Sequence, residues 1–197
     1  MKKLGLLLLL ISLNTFSQNI TIYSIGDSTM ATKVNPATNP EFGWCQVLPN
    51  FFKSDVIIDN RAVNGRSTKS FIAEKKWEAV YKVLKPGDYL FIQFGHNDSK
   101  ATDSLRYTNP HTAYRYNLIK FVEESREKGA IPILFSPIAR RNFNDHGVLI
   151  SKHETYSMEM RLVALEYNVP FIDMEYLTES LEIAYGPEKS KQLHLHL

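Results

Sequence analysis

The sequence predicts a three-layer α/β/α domain built on a flavodoxin-like parallel sheet of about five strands. Short runs rich in β-branched and aromatic residues alternate with longer stretches of helical spacing, the order of a doubly wound sheet. Polar loops carrying Gly, Ser and Asn follow three successive strand-like runs. Right-handed crossovers put the carboxyl end of every parallel strand on one edge of such a sheet, so these loops are expected to meet there.

The first strand is placed at 20–25, Ile20-Thr21-Ile22-Tyr23-Ser24-Ile25, and stops at Gly26. The others are placed at 56–63, 89–94, 131–136 and 170–174. Helices are predicted over 68–84, 113–128 and 151–168. Lys85-Pro86-Gly87-Asp88 and Lys128-Gly129-Ala130 end the first two with residues that cannot continue a helix. Within 113–128, Tyr114, Leu118, Phe121 and Val122 recur at helical spacing and give a face to lay on the sheet. The longest irregular stretches, 32–42 and 100–111, fall on the loop-bearing edge and are expected to bind substrate. Gln192-Leu193-His194-Leu195-His196-Leu197 alternates like a strand cut off without a stop signal.

Gly26-Asp27-Ser28-Thr29 follows the first strand, Asn64-Gly65-Arg66-Ser67 the second and Gly95-His96-Asn97-Asp98 the third. Singly, each also reads as an ordinary feature: Ser28 a helix cap, Gly65 a loop glycine, Asn97-Asp98 a cap pair. As an ordered set at strand ends they point to acyl transfer at a serine. A serine hydroxyl attacks only when a base removes its proton, and the resulting tetrahedral intermediate carries negative charge that preorganised donors must meet. Ser28 is the expected nucleophile. Gly65 lets backbone approach a substrate with no Cβ in the way, and Asn97 offers a neutral side-chain donor. Asp27 is expected to brace the turn, and His96 to be structural because it lies beside Asn97. Trp44, Phe42 and Tyr107 read as sugar platforms or as core, and Arg140-Arg141 as a contact to an acidic sugar or as a solvated pair.

These blocks, with Gly26-Asp27-Ser28-Thr29-Met30, Gly65-Arg66-Ser67-Thr68-Lys69-Ser70-Phe71 and Ile92-Gln93-Phe94-Gly95-His96-Asn97-Asp98, resemble the SGNH (GDSL-type) hydrolase superfamily in its rhamnogalacturonan acetylesterase branch. The resemblance runs from about Ile20 to the end of the chain. It implies an oxyanion hole made of the Ser28 and Gly65 backbone N–H groups and the Asn97 amide, with no metal or other cofactor. It also implies removal of acetyl groups from pectic rhamnogalacturonan or a related polysaccharide through an acyl-Ser28 intermediate. The family closes with an Asp-x-x-His block supplying the base and its orienter, and no such spacing follows Asn168. The 197 residues are therefore expected to stop short of that block. Neither His194 nor His196 has an Asp three residues before it, so neither is expected to be the base. Two other functions stay open: a GDSL-type esterase or lipase acting on other small acyl esters, and a non-catalytic glycan-binding domain.

Composition fits one domain. Of 197 residues, 44% are hydrophobic, enough for one sizeable core. A net charge of +2 gives no signal for nucleic acid. The only cysteine, Cys45, excludes an intrachain disulfide and reads as a small buried residue beside Trp44. Lys2-Lys3, an apolar run over 4–13 and Thr15-Phe16-Ser17 have the layout of a signal peptide over 1–17. The hydrolase domain is then 18–197, exported to the periplasm or medium, with no membrane contact after cleavage and an acetylated saccharide as its partner.

Overall fold

The computed structural model describes residues 20–35 and 37–194. Five strands alternate with helices: β1 (Ile20–Gly26), α1 (Trp44–Val47), β2 (Val56–Asn60), α2 (Thr68–Ala73), α3 (Lys76–Tyr81), β3 (Tyr89–Gln93), α4 (Arg115–Glu127), β4 (Ile131–Phe135), α5 (Glu154–Glu166), β5 (Phe171–Ile172) and α6 (Met174–Lys189). All pairings are parallel, in the order β2-β1-β3-β4-β5, as expected for the flavodoxin-like sheet. The chain moves outward from β1 to β2, then returns past β1 to β3. That reversal opens a crevice at the carboxyl ends of β1 and β3, the place where open α/β sheets hold their ligands.

Strand alternation sorts the core onto two faces. Tyr23, Ile25, Leu90, Ile92 and Leu134 face the layer made by α2 to α5, where Phe71, Trp77, Leu118, Phe121, Met160 and Val163 bury their side chains. Ile22, Phe91 and Phe135 point the other way, onto Met30, Cys45 and the partly buried Trp44 and Met174. The second layer is the thinner one among the described residues, formed by α1 and the start of α6. Cys45 is buried there, its thiol on the Ser24 hydroxyl at 3.2 Å.

Three sequence expectations need correction. The helix predicted over 68–84 is two, because Lys75 takes a left-handed φ of 57° and turns the chain between α2 and α3. Helix α6 replaces the end of the predicted 170–174 strand: Asp173 accepts from the Tyr176 N–H and starts a helix at Met174. The predicted terminal strand is replaced at Gln192 and Leu193, which fall in a 3₁₀ turn (Ser190–Leu193) after α6, while 195–197 lie outside the described residues. The signal-peptide segment and His196 lie outside the described residues.

Candidate active site

Gly26 ends β1 where a side chain has no room: a Cβ there would stand 2.6 Å from the Gln93 carbonyl oxygen and 2.8 Å from the Met30 sulfur. The chain then turns at once. Asp27 Oδ1 accepts from the Thr29 N–H at 2.9 Å and the Thr29 hydroxyl at 2.8 Å, and the Asp27 carbonyl accepts from the N–H groups of Met30 and Ala31. Asp27 braces the turn, as its position suggested. Ser28 sits half-buried at the apex. Its hydroxyl caps no helix and has no hydrogen-bond partner among the described residues.

Gln93, the last residue of β3, holds the turn from below. Its Oε1 accepts from the Thr29 hydroxyl at 3.1 Å and the Trp44 indole at 2.8 Å, while its Nε2 donates to the Ser136 carbonyl at 3.2 Å. Trp44 is thus spent on the core, with its ring 5.3 Å from that of Phe135. Phe42, by contrast, is exposed.

The β2 loop is tied to the same turn. The Arg61 and Val63 N–H groups donate to the carbonyls of Ser24 and Gly26, and Asn60 Nδ2 donates to the Met30 carbonyl at 3.0 Å. Lys33 adds a link that motif reading missed. Its ammonium is buried, donates to the Ser28 carbonyl and to Asn64 Oδ1 at 3.4 Å, and lies 3.7 Å from a Glu41 carboxylate oxygen. One cation therefore joins the backbone of Ser28 to the residue before Gly65. Gly65 itself has φ +76°, and the nearest atom to an added Cβ would be 3.8 Å away. Backbone conformation rather than crowding demands glycine here. The loop over 100–111 reaches the same place: Gly65 and Arg66 share a cavity of about 330 Å³ with Asp103 and Arg106.

Asn97 follows β3 and is 3% exposed. Its Nδ2 donates to the Arg66 carbonyl at 3.0 Å, so one amide hydrogen fixes the side chain to the Gly65 loop and leaves the other to donate. The neighbouring Asp98 is the buried hub between these loops. It accepts from the Thr68 N–H at 3.1 Å, the Thr68 hydroxyl at 2.6 Å and the Thr108 hydroxyl at 2.8 Å, while its own carbonyl accepts from Tyr156. Ser67 starts α2 in a capping box with Ser70, which presents the Thr68 N–H to that carboxyl. Sequence pattern brought Asp98 to notice only as a cap residue; its role depends on partners 10 and 30 residues away.

Burial pushes the Asp98 carboxyl up to about 7, against the pull of its Thr donors and with Asp27 adding to the rise. Unfolded aspartate titrates near 3.9, so the native state holds this proton more tightly. Asp98 therefore favours the fold fully below about pH 4 and progressively less up to about pH 7. His96 and His153 act in the opposite sense: burial lowers them to about 4 and about 3, so they favour the fold as pH rises toward 6.5. The total slope is therefore mixed, and a difference isolates Asp98. Urea midpoints at pH 5 and pH 8 should show wild type losing about 2–3 kcal/mol relative to Asp98→Asn. Parallel pH dependences in the two proteins would refute this titration.

The described histidines are engaged elsewhere or exposed. His96 contacts the Ile138 carbonyl, His111 contacts Glu159, His153 accepts from Arg140, His194 contacts Glu182, and His146 is exposed. Among the described residues no group of three or more His, Cys, Asp and Glu side chains is placed to hold a metal ion. No helix among them is long and apolar enough to cross a membrane.

The chain is 38% identical over 174 residues to rhamnogalacturonan acetylesterase RhgT of Bacillus subtilis (strain 168), an alignment covering 88% of this chain and 73% of that protein. The crystal structure of protein YxiM from Bacillus subtilis superposes with a TM-score of 0.80 at 27% identity, over 90% of this chain and 49% of that one. This chain thus spans about half of YxiM. Axe2, an acetylxylan esterase from Geobacillus stearothermophilus, shares the fold with a TM-score of 0.63 at 16% identity, over 83% of this chain and 80% of that one. With its profile matched over residues 24–197, the chain belongs to the GDSL-like lipase/acylhydrolase family, a family of carboxylic ester hydrolases.

Proposed function

We propose that this chain is a serine carbohydrate esterase that removes acetyl groups from pectic rhamnogalacturonan or a related polysaccharide. The observation that carries the proposal is the joining of three strand-end loops around Ser28, by Lys33 to Asn64 and by Asn97 to the Arg66 carbonyl. In the proposed mechanism the Ser28 hydroxyl attacks the acetyl carbonyl. The Ser28 and Gly65 N–H groups and the free Asn97 amide hydrogen meet the oxyanion. Collapse releases the sugar hydroxyl and leaves acetyl-Ser28, which water then hydrolyses. The substrate class is supported by similarity to RhgT, a rhamnogalacturonan acetylesterase. The Lys2-Lys3 and apolar 4–13 pattern supports action outside the cytoplasm. An esterase acting on long acyl chains would want a long apolar pocket, whereas the cavity at Gly65 is walled by Arg66, Arg106, Asp103 and Glu74.

Acetate release from acetylated rhamnogalacturonan, acetylated xylan and p-nitrophenyl acetate tests the reading. Rhamnogalacturonan should be the preferred polymer. Equal release from both polymers would remove the substrate assignment while leaving the esterase. No described histidine hydrogen-bonds to Ser28, and general-base assistance contributes about 10²–10⁴ in rate. The 197-residue chain is therefore expected to turn over slowly, by about that factor, relative to RhgT assayed beside it. Fast turnover that disappears in His194→Ala/His196→Ala would instead make one of those histidines the base. No hydrolysis at all, with saccharide binding intact, would favour a glycan-binding domain.

A further inference from the structure

Beside the oxyanion loop lies a second cavity, of about 380 Å³, whose walls carry Lys100, Arg140, Arg141 and Lys152 and no carboxylate. None of these four cations forms a salt bridge among the described residues, whereas most other basic side chains there do. The buried Asp27 carboxyl feels the Arg140 charge, which lowers it against the rise that burial causes, and the other carboxylates near this wall are exposed. Glu188, held low by Lys191 with Arg141 adding to the effect, is exposed, and Glu154 is exposed in the first turn of α5. The two arginines, Arg140 exposed and Arg141 half-buried, are each held by hydrogen bonds. Arg140 Nη2 donates to the His96 carbonyl and its Nε to His153 Nε2, both at 3.2 Å; Arg141 Nε donates to the Ser190 hydroxyl at 3.1 Å. A guanidinium held this way has lost little further freedom to bind an anion and keeps unused N–H donors.

His153 adds a second, independent sign of positive potential. An arginine Nε–H only donates, so His153 Nε2 accepts and the proton sits on Nδ1. That Nδ1–H is buried with no acceptor among the described residues, in a ring 2% exposed that lines the cavity. His153 is also the N-cap of α5, a 13-residue helix whose cap has no side-chain hydrogen bond, so the helix dipole points its positive end here.

We propose that this cavity is a carboxylate subsite that binds a uronic acid residue of the polysaccharide, displaced along the chain from the sugar whose ester lies on Ser28. The placement suits that role. Ser99 and Lys100 follow Asn97 by two and three residues, and the His96 ring packs tilted against His153 at 4.2 Å between ring centres. A polymer laid across Asn97 therefore has the cationic wall beside it. A carboxylate presents two oxygens to the arginine forks, geometry that a neutral sugar cannot supply. This inference rests on the polysaccharide esterase reading and extends it to one named subsite.

The test separates the two. Calorimetric titration would use unacetylated trigalacturonate and its fully methyl-esterified form, on wild type and on Lys100→Gln/Lys152→Gln. Neither lysine side chain makes a hydrogen bond among the described residues, so the double variant removes charge without removing such a contact. Trigalacturonate should bind wild type and weaken about tenfold or more in the variant, with a comparable loss for the methyl ester on wild type. Equal binding of acid and ester, or unchanged affinity in a variant of wild-type melting temperature, overturns the subsite. Inorganic phosphate displacing trigalacturonate as effectively as a second carboxylate oligomer would make this a general anion site and also overturn it. Acetylation of Ser28 by p-nitrophenyl acetate is followed in parallel. Its absence in wild type sinks the esterase reading alone, because binding of the unacetylated oligomer does not require chemistry. A variant that binds weakly to trigalacturonate but acetylates Ser28 at the wild-type rate is the expected pair of results.

Discussion

Ser28→Ala is expected to lower acetate release from any acetyl ester to the rate of protein-free buffer, the largest effect of a single substitution in this chain. The covalent route needs an oxygen to carry the acyl group, and alanine has none. The turn should survive the change. It is held through the Asp27 carboxyl on Thr29, the Asp27 carbonyl on Met30 and Ala31, and Lys33 on the Ser28 carbonyl. None of these uses the Ser28 hydroxyl, so the loss reports chemistry and not folding. The check is acid quenching of a p-nitrophenyl acetate reaction, followed by digestion and mass analysis. Wild type should carry acetyl on the Ser28 peptide and the variant on none, at equal thermal midpoints. Retained turnover, or an adduct on a different serine, would end the assignment of Ser28.

How much of this was legible beforehand divides by the range of the interactions. The strands read well, since Tyr89 to Gln93 and Ile20 to Gly26 are runs of apolar residues in a sheet packed on both faces. The positions of Ser28, Gly65 and Asn97 also followed from strand ends and the parallel rule, which need no knowledge of side-chain contacts. The break at Lys75 was not legible, because a lysine with positive φ carries no signal of the kind glycine gives. Helix α6 was hidden by its start: Asp173 caps it in the middle of residues that also suit a strand. The ties that assemble the site were the least visible. Lys33 meets Asn64 across 31 residues, Gln93 meets Thr29 across 64, and Asp98 meets Thr68 across 30. Each is an ordinary polar residue until the fold supplies its partner. The Arg140-Arg141 pair lay between a sugar contact and a solvated face in the sequence. Both side chains are held by hydrogen bonds, with Arg140 exposed and Arg141 half-buried, so the pair sits fixed at the surface.

Asn97→Ala is expected to lower kcat by roughly 10²–10³ while KM changes little, because its free N–H is called on only as charge develops on the oxyanion. The structure explains why so short a side chain can be effective. Its other N–H is anchored on the Arg66 carbonyl, and at 3% exposure little water competes for the amide. The donor is therefore oriented before substrate binds, and no reorganisation is needed during the reaction. Alanine also removes the bond to Arg66, so the thermal midpoint of the variant is compared with wild type to follow loop anchoring apart from donation. Asn97→Asp keeps the shape but loses both amide hydrogens, the one on the Arg66 carbonyl included, and puts a negatively charged acceptor in their place. If donation to the oxyanion is the function, the aspartate variant should be at least as slow as the alanine variant, again with the effect in kcat. Initial rates over a range of p-nitrophenyl acetate concentrations, measured for wild type and both variants, give the two parameters. A change confined to KM would make Asn97 a substrate-binding residue, and an aspartate variant faster than alanine would refute donation to the oxyanion.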